Sequence, residues 1–213
     1  MAGLLDKGIM NEDLKYKPCV FVLIRHGMTK ANKEKRYAGR TNYPLLPEGR
    51  QELLRRDYSA LREVQAVFSS PLLRCLETAE IVFPGHEKRV IQNFIECDFG
   101  HFEDRNYIEM ANDSEYQAWV DSGGTLPFPG GEDVEKFKDR CAKGMEEVID
   151  ICRRENITKA GCAIHGGVIM SIMERLCTTK REYYSWHPEN GCGYVLLSDP
   201  GSYDLELMSE INF

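Results

Sequence analysis

The sequence has no run of apolar residues approaching the roughly 18 that a membrane-spanning helix requires. It has no excess of basic residues either: 27 Lys and Arg stand against 34 Asp and Glu, for a formal net charge of -7. Nucleic-acid binders gather a basic face, so this balance argues against such a partner. An acidic chain that handles anions must instead concentrate its Arg and His locally. The 8 cysteines, at 19, 75, 97, 141, 152, 162, 177 and 192, form no CxxC pair and no metal-finger spacing. With 213 residues the chain can build a core without disulfide staples. The opening stretch MAGLLDKGIMNEDLKYKP lacks the apolar segment of a secretion signal. Reduced thiols in a cytoplasmic protein are therefore expected. Histidine is scarce, 5 in all, so each can be weighed by its setting.

Cys19 to Ile24 (CVFVLI) is a short, continuous apolar run, which predicts a strand buried on both faces. It stops at Arg25-His26-Gly27, putting these residues at the carboxyl end of a strand, where ligands bind in open α/β sheets. Pro47 opens a helical pattern through Leu53, Leu54, Tyr58 and Leu61. Residues 66–68 read as a second strand. Ser70 and Pro71 then suit the N-cap and first position of a helix carrying Arg74, Glu77 and Thr78. A third strand is expected at 89–91. Val134, Phe137, Cys141, Met145, Val148, Ile149 and Cys152 recur at spacings of three and four, as on one face of a long helix. Residues 160–164 form another apolar run that ends in His165-Gly166-Gly167, before a helix to Leu176. Residues 193–197 and 205–208 read as closing strands.

This alternation predicts an α/β fold: a three-layer α/β/α sandwich with a mostly parallel central sheet. One domain is expected over residues 1–213, with its core starting near residue 18 and residues 1–17 as an N-terminal extension. Residues 94–130 are irregular, with short helical pieces expected near Tyr107 to Met110 and Glu115 to Trp119. So long an excursion is expected to be a lid-like insertion over one end of the sheet. Its aromatics, Tyr107, Tyr116, Trp119 and Phe128, are expected mainly to pack the lid.

His26 and His165 share one local setting: buried strand, histidine, glycine, helix. If both strands run the same way in one sheet, both imidazoles reach the same edge, beside helix N-termini that favour an anion. Arg25 and Arg74 bring guanidinium forks suited to phosphate oxygens. Thr29 and Asn32 could add donors, and Gly27, Gly166 and Gly167 would clear the approach. A lone strand-end histidine is commonly structural, and a lone arginine is commonly a surface charge. The joint pattern is what points to a phosphate pocket. His86, His101 and His187 lie in loop contexts and are expected to be bystanders. No metal-ligand cluster is apparent.

Arg25-His26-Gly27-Met28-Thr29 with Asn32, and Ser69-Ser70-Pro71-Leu72-Leu73-Arg74 continuing to Thr78-Ala79, resemble signatures of the histidine phosphatase superfamily, which includes cofactor-dependent phosphoglycerate mutases. The likeness continues through Tyr37 to Leu45, Glu96 to Asp104, Pro129 to Glu132 and the block at His165. It implies a ping-pong route with His26 as the nucleophile that becomes phosphohistidine. Arg25, Arg74 and His165 would hold the phosphoryl oxygens, aided by Thr29, Asn32 and Gly166. Glu96 would be the general acid, with Asp98 and Glu103 as competing carboxylates. Neither metal nor cofactor is implied. Met28 stands where the family usually has Glu, Phe102 replaces Trp and Asp104 replaces Gly, while Ala38 sits where many members carry a polar residue. The shorter chain and the Glu96-Cys97-Asp98-Phe99-Gly100 block look more like the broad phosphatase branch, including α-ribazole phosphatase-like enzymes. The expectation is therefore a phosphatase acting on a small phosphate monoester. A mutase-type phosphoryl transfer and a non-catalytic phospho-ligand binder are the alternatives. The expected partner is a small phosphorylated metabolite, with no nucleic acid or membrane; a homodimer is left open.

Overall fold

A computed structural model describes residues 16–213, so most of the expected N-terminal extension lies outside the described residues. The first half of the chain runs β1 (Val20–Arg25), α1 (Lys30–Lys33), α2 (Pro47–Arg55), β2 (Ala66–Ser69), α3 (Leu73–Val82) and β3 (Lys88–Val90). The second half runs α4 (Ser114–Asp121), α5 (Val134–Glu155), β4 (Lys159–Ile164), α6 (Gly166–Leu176), β5 (Gly193–Ser198) and β6 (Leu205–Ile211).

The strands form one sheet in the order β3-β2-β4-β1-β5-β6. The first four pair in parallel, β5 is antiparallel to β1, and β6 is antiparallel to β5. Only β5 therefore runs against the rest, and the expected mostly parallel sheet covered by helices is what forms. β1 shows why its sequence is apolar throughout. Phe21 and Leu23 point into a core with Met145, Ile149 and Ile169 from α5 and α6. Val22 and Ile24 point the other way, to Leu53, Ala79 and Val82 from α2 and α3. Burying each of these four strand side chains contributes roughly 1.5–3 kcal/mol.

α5 keeps its apolar stripe inside, starts on an Asp133 side-chain cap and stops where Asn156 adopts a left-handed conformation (φ 56°). The other helices depart from sequence expectation in instructive ways. α2 ends at Arg55 rather than continuing through Leu61, because Arg56 turns extended. Tyr58 is fully buried and donates to Gly191 O at 2.9 Å, so tertiary packing accounts for the apolar spacing there. α3 starts at Leu73, not at Pro71, and Ser70 does not cap it. Residues 107–110 form turns rather than the expected helical piece, with Asn106 Oδ1 accepting from the N–H groups of Ile108 and Glu109. All eight cysteines are buried free thiols. Among the described residues, no helix is long and apolar enough to cross a membrane.

Candidate active site

Strand register brings the candidate residues together. Arg25 at the end of β1 lies opposite Ile164 at the end of β4, and Ser69 of β2 lies opposite Ala163. The residues that follow, His26, His165 and Ser70, therefore meet at one sheet edge. The two imidazole centroids are 5.3 Å apart, with ring planes inclined at 67°. A cavity of about 570 Å³ opens there, bounded by Arg25, His26, Arg74, Glu96, Gly166 and, from the 94–130 segment, Phe99, Trp119 and Phe128.

His26 is oriented by its own neighbour: Nδ1 lies 2.8 Å from Gly27 O. A carbonyl oxygen only accepts, so the Nδ1 proton is fixed and Nε2 carries the lone pair. Asn190 donates to His26 O at 2.8 Å and secures the backbone. Burial, then the charges of Arg74 and Arg25, hold the His26 pKa well below the usual imidazole value. The ring is therefore neutral, with its Nε2 lone pair uncommitted in the protein.

The two arginines are used differently. Arg25 donates through one terminal nitrogen to Pro188 O at 2.8 Å, and its buried Nε has no protein partner. An unpaired buried guanidinium nitrogen is costly, and an anion in the cavity would satisfy it. Arg74, buried on α3, donates to Thr41 O at 2.8 Å, Gly39 O at 2.9 Å and Ala38 O at 3.2 Å. Its Nε donates to His165 Nδ1 at 3.2 Å. The loop supplying those carbonyls is itself held by Glu103, which accepts from Gly39 N, Arg40 N, Thr41 N and the Thr41 hydroxyl. Gly39 is required here: a Cβ would fall 1.6 Å from Cys97 O.

His165 sits beside His26 but is fully buried, with both nitrogens engaged. Nδ1 accepts from Arg74, and Nε2 lies 2.7 Å from Ser70 Oγ. Burial, then the nearby Arg74 charge, holds its pKa well below the usual value. The same Ser70 hydroxyl also accepts from Leu72 N at 3.4 Å, upstream of the first residue of α3.

Glu96 lines the same cavity as the two arginines. Oε1 accepts from Cys97 N at 3.0 Å and Oε2 from Gly167 N at 3.1 Å. Burial raises its pKa above the ordinary carboxylate value, against the lowering pull of those N–H groups and the two arginines. The backbone leading to Glu96 is pinned by Arg140, which donates to Asn93 O and Ile95 O, both at 2.8 Å. The competing carboxylates are otherwise occupied: Asp98 accepts from Gly100 N, and Glu103 caps the 39–41 loop.

Thr29 and Asn32 line the cavity and form the capping box of α1. The Thr29 hydroxyl proton goes to Asn32 Oδ1 at 3.0 Å, leaving the Asn32 amide nitrogen as the donor available to a ligand. The glycines do less for ligand access than their spacing suggests. A Cβ on Gly27 would strike Leu53 at 2.7 Å, and one on Gly167 would strike Glu96 Oε1 at 2.5 Å. Gly166 differs: a Cβ there would lie 3.0 Å from the His187 ring and 3.4 Å from Arg25 Nε, both of which line the cavity. Among the described residues, no group of three or more His, Cys, Asp or Glu is placed to hold a metal ion.

The sequence profile of the histidine phosphatase superfamily (branch 1) matches residues 21–211. The chain belongs to the histidine phosphatase superfamily. Phosphoglycerate mutase-like protein 4 of Arabidopsis thaliana is 29% identical over 180 residues, covering 81% of this chain and 76% of that protein. The adenosylcobalamin/alpha-ribazole phosphatase of Escherichia coli is 28% identical over 178 residues, covering 80% and 85%. The crystal structure of the alpha-ribazole phosphatase from Shigella flexneri has the same fold, with a TM-score of 0.77 at 21% identity over 91% of this chain and 96% of that one. Some matches are shorter: the chain spans 38% of a bifunctional protein of Mycobacterium tuberculosis, at 33% identity.

Within this histidine phosphatase site, sequence reasoning missed several contributors. His187 lines the cavity, and burial followed by the Arg25 charge lowers its pKa to about 4. Its loop setting gave no signal. Nor did anything mark Asn190, or the Ser70 hydroxyl as a partner for His165. His86 and His101 lie outside the cavity lining, as their contexts suggested.

Proposed function

We propose that this histidine phosphatase hydrolyses a small phosphate monoester through a phosphohistidine on His26. The observation that supports it most is the His26 tautomer: with Nδ1–H committed to Gly27 O, the Nε2 lone pair is the one available in a cavity that also holds Arg25, Arg74 and Glu96. Nε2 attacks phosphorus in line as the P–O bond to the leaving alcohol breaks. Arg25, through its unpartnered Nε, binds the equatorial oxygens together with the amide of Gly166 and the Asn32 side chain. Arg74 adds positive charge from a fixed position, and His165 acts by holding Arg74. Glu96, whose protonated form is favoured by burial, gives its proton to the departing alkoxide. Water then attacks the phosphohistidine, the P–N bond breaks, and Glu96 takes the proton back. Eight buried thiols suit a reducing compartment, which favours the cytoplasm.

The test is a pulse with a labelled aryl phosphate, quenched under alkaline conditions that preserve phosphohistidine. Label on wild type, none on His26→Ala, and stoichiometric release of inorganic phosphate support the reading. Turnover that requires 2,3-bisphosphoglycerate and releases no phosphate would make the protein a mutase. Binding without label on His26 would make it a non-catalytic phospho-ligand binder.

A further inference from the structure

Away from the two histidines the cavity is built of rings. Tyr37, Phe99, Trp119, Phe128, Phe137 and Tyr184 line it. Several brace one another: Phe99 meets Phe128 edge-on at 4.9 Å, Trp119 stacks on Phe128 at 5.2 Å, and Tyr37 meets Phe99 at 5.3 Å. The wall is therefore preformed rather than assembled around a ligand. At about 570 Å³ the cavity lies within the range of roughly 300–1,000 Å³ for small-molecule sites, well beyond what a phosphoryl group alone needs.

The charges in this wall are already matched. Of the three arginines lining the cavity, Arg25 and Arg74 stand at the phosphate end. Arg36 makes a two-pronged pair with Glu109, both contacts at 2.8 Å, and a further one with Glu34 at 2.6 Å. Two carboxylates thus offset one guanidinium. His187 lies over Gly166 beside Arg25, again at the phosphate end. Among the described lining residues, no cation is left for a second anionic group. The buried Nε1 of Trp119 also has no acceptor in the protein. A polar atom carried by a ligand in this cavity could satisfy it.

We infer that the ester this site takes has an uncharged, ring-bearing leaving alcohol that seats against Trp119 and Phe128. This rests on the hydrolytic reading above and narrows it. Ring burial is favourable in proportion to the apolar area covered. A carboxylate or second phosphate in the same place would lose water and find no partner. Discrimination therefore has two sources: the apolar surface that a ring covers, and the charge that an anionic competitor would leave unpaired.

Three alkyl monoesters test this with closely matched leaving-group chemistry: 2-phenylethyl phosphate, 3-phosphoglycerate and methyl phosphate. Wild-type kcat/KM is expected to be about tenfold or more higher for 2-phenylethyl phosphate than for either of the others. Trp119→Ala and, separately, Tyr184→Ala should each shrink the ratio of 2-phenylethyl to methyl phosphate, chiefly through KM. Tyr184 is 65% exposed, so its loss does not threaten the fold. Equal or better hydrolysis of 3-phosphoglycerate would overturn the inference, as would a preference unmoved by both substitutions. If no ester released phosphate, the hydrolytic reading itself would fall and take the inference with it.

Discussion

Arg74 donates its Nε–H to Nδ1 of His165 at 3.2 Å, which makes the second histidine of this site an acceptor that holds an arginine. With Nδ1 accepting, the ring proton sits on Nε2 and is directed at Ser70 Oγ, 2.7 Å away. The chain Ser70–His165–Arg74 links the residues just after β2 and β4 to α3 and ends at the cavity.

That relay sets the expected behaviour of His165 variants. Losing the acceptor lets Arg74 shift, and misplacing a charged group by about 1 Å costs about 10²-fold in rate. His165→Ala should therefore lower kcat/KM by that order, whereas His26→Ala should remove phosphohistidine formation altogether. His165→Asn, which can still accept from Arg74, should recover part of the loss. Steady-state kinetics on the three variants decide the matter. Equal rates for His165→Ala and His165→Asn would mean that the imidazole acts in some other way.

The pH dependence follows from two shifts of opposite sign. His26 lies well below its ordinary value of 6.5, so the nucleophile stays neutral into mildly acidic solution. Glu96 is raised above 4.5, so the acid keeps its proton further up the scale. For the free enzyme, kcat/KM on an alkyl ester should be flat on the acid side and fall as pH rises through the elevated Glu96 value. Glu96→Gln should abolish that falling limb and slow alkyl esters by about 10²–10⁴-fold. p-Nitrophenyl phosphate, whose leaving group needs no proton, should be slowed far less. An unchanged alkaline limb in Glu96→Gln would assign it to another group.

The central layer was legible because its strands are short apolar runs bounded by chemistry-bearing residues, as at Ile24-Arg25-His26 and Ile164-His165. Reading both histidines to one edge needed only that β1 and β4 be parallel neighbours, which they are. Connections were less legible. Ser70-Pro71 has good capping chemistry, but α3 begins at Leu73, and the Ser70 hydroxyl also meets a histidine 95 residues away. Tyr58 fits the α2 period, yet it is placed by a bond to Gly191 rather than by the helix. The support of Arg74 comes from the backbone carbonyls of Ala38, Gly39 and Thr41, and side-chain identity carries no trace of it. His187 was unreadable for a similar reason: nothing local shows that its loop folds over Gly166.

Glu103 does not line the cavity, yet it shapes the loop beneath Arg74. Its carboxylate accepts from three successive N–H groups and from one hydroxyl, shaping the loop on which Arg74 rests. Charge-assisted bonds of this kind each contribute roughly 1.5–3 kcal/mol, and they are not additive. Glu103→Ala should therefore cost about 2–3 kcal/mol in stability and lower kcat through Arg74, with a smaller change in KM. Denaturant unfolding and steady-state kinetics on the same variant check both. Unaltered kcat in a destabilised protein would confine Glu103 to a structural role.

The buried histidines should also make the fold sensitive to acid. In the unfolded chain an imidazole protonates near 6.5, whereas His26 and His165 in the folded protein do so well below that. Between those values the unfolded state binds more protons, so stability rises with pH there and is lost as pH falls below about 6.5. Glu96 works the other way. Its raised pKa means that the folded state binds the extra proton, so its contribution declines as pH rises above 4.5. Between 4.5 and 6.5, where these ranges overlap, the two histidines therefore oppose the one carboxylate. Each fully developed proton difference corresponds to about 1.4 kcal/mol per pH unit. Unfolding free energy measured across this interval should increase with pH in the wild type and more steeply in Glu96→Gln, where the opposing group is gone. His165→Asn should flatten the rise. A wild-type profile that declined over the same interval would show that Glu96, rather than the histidine pair, governs the acid response of the folded protein.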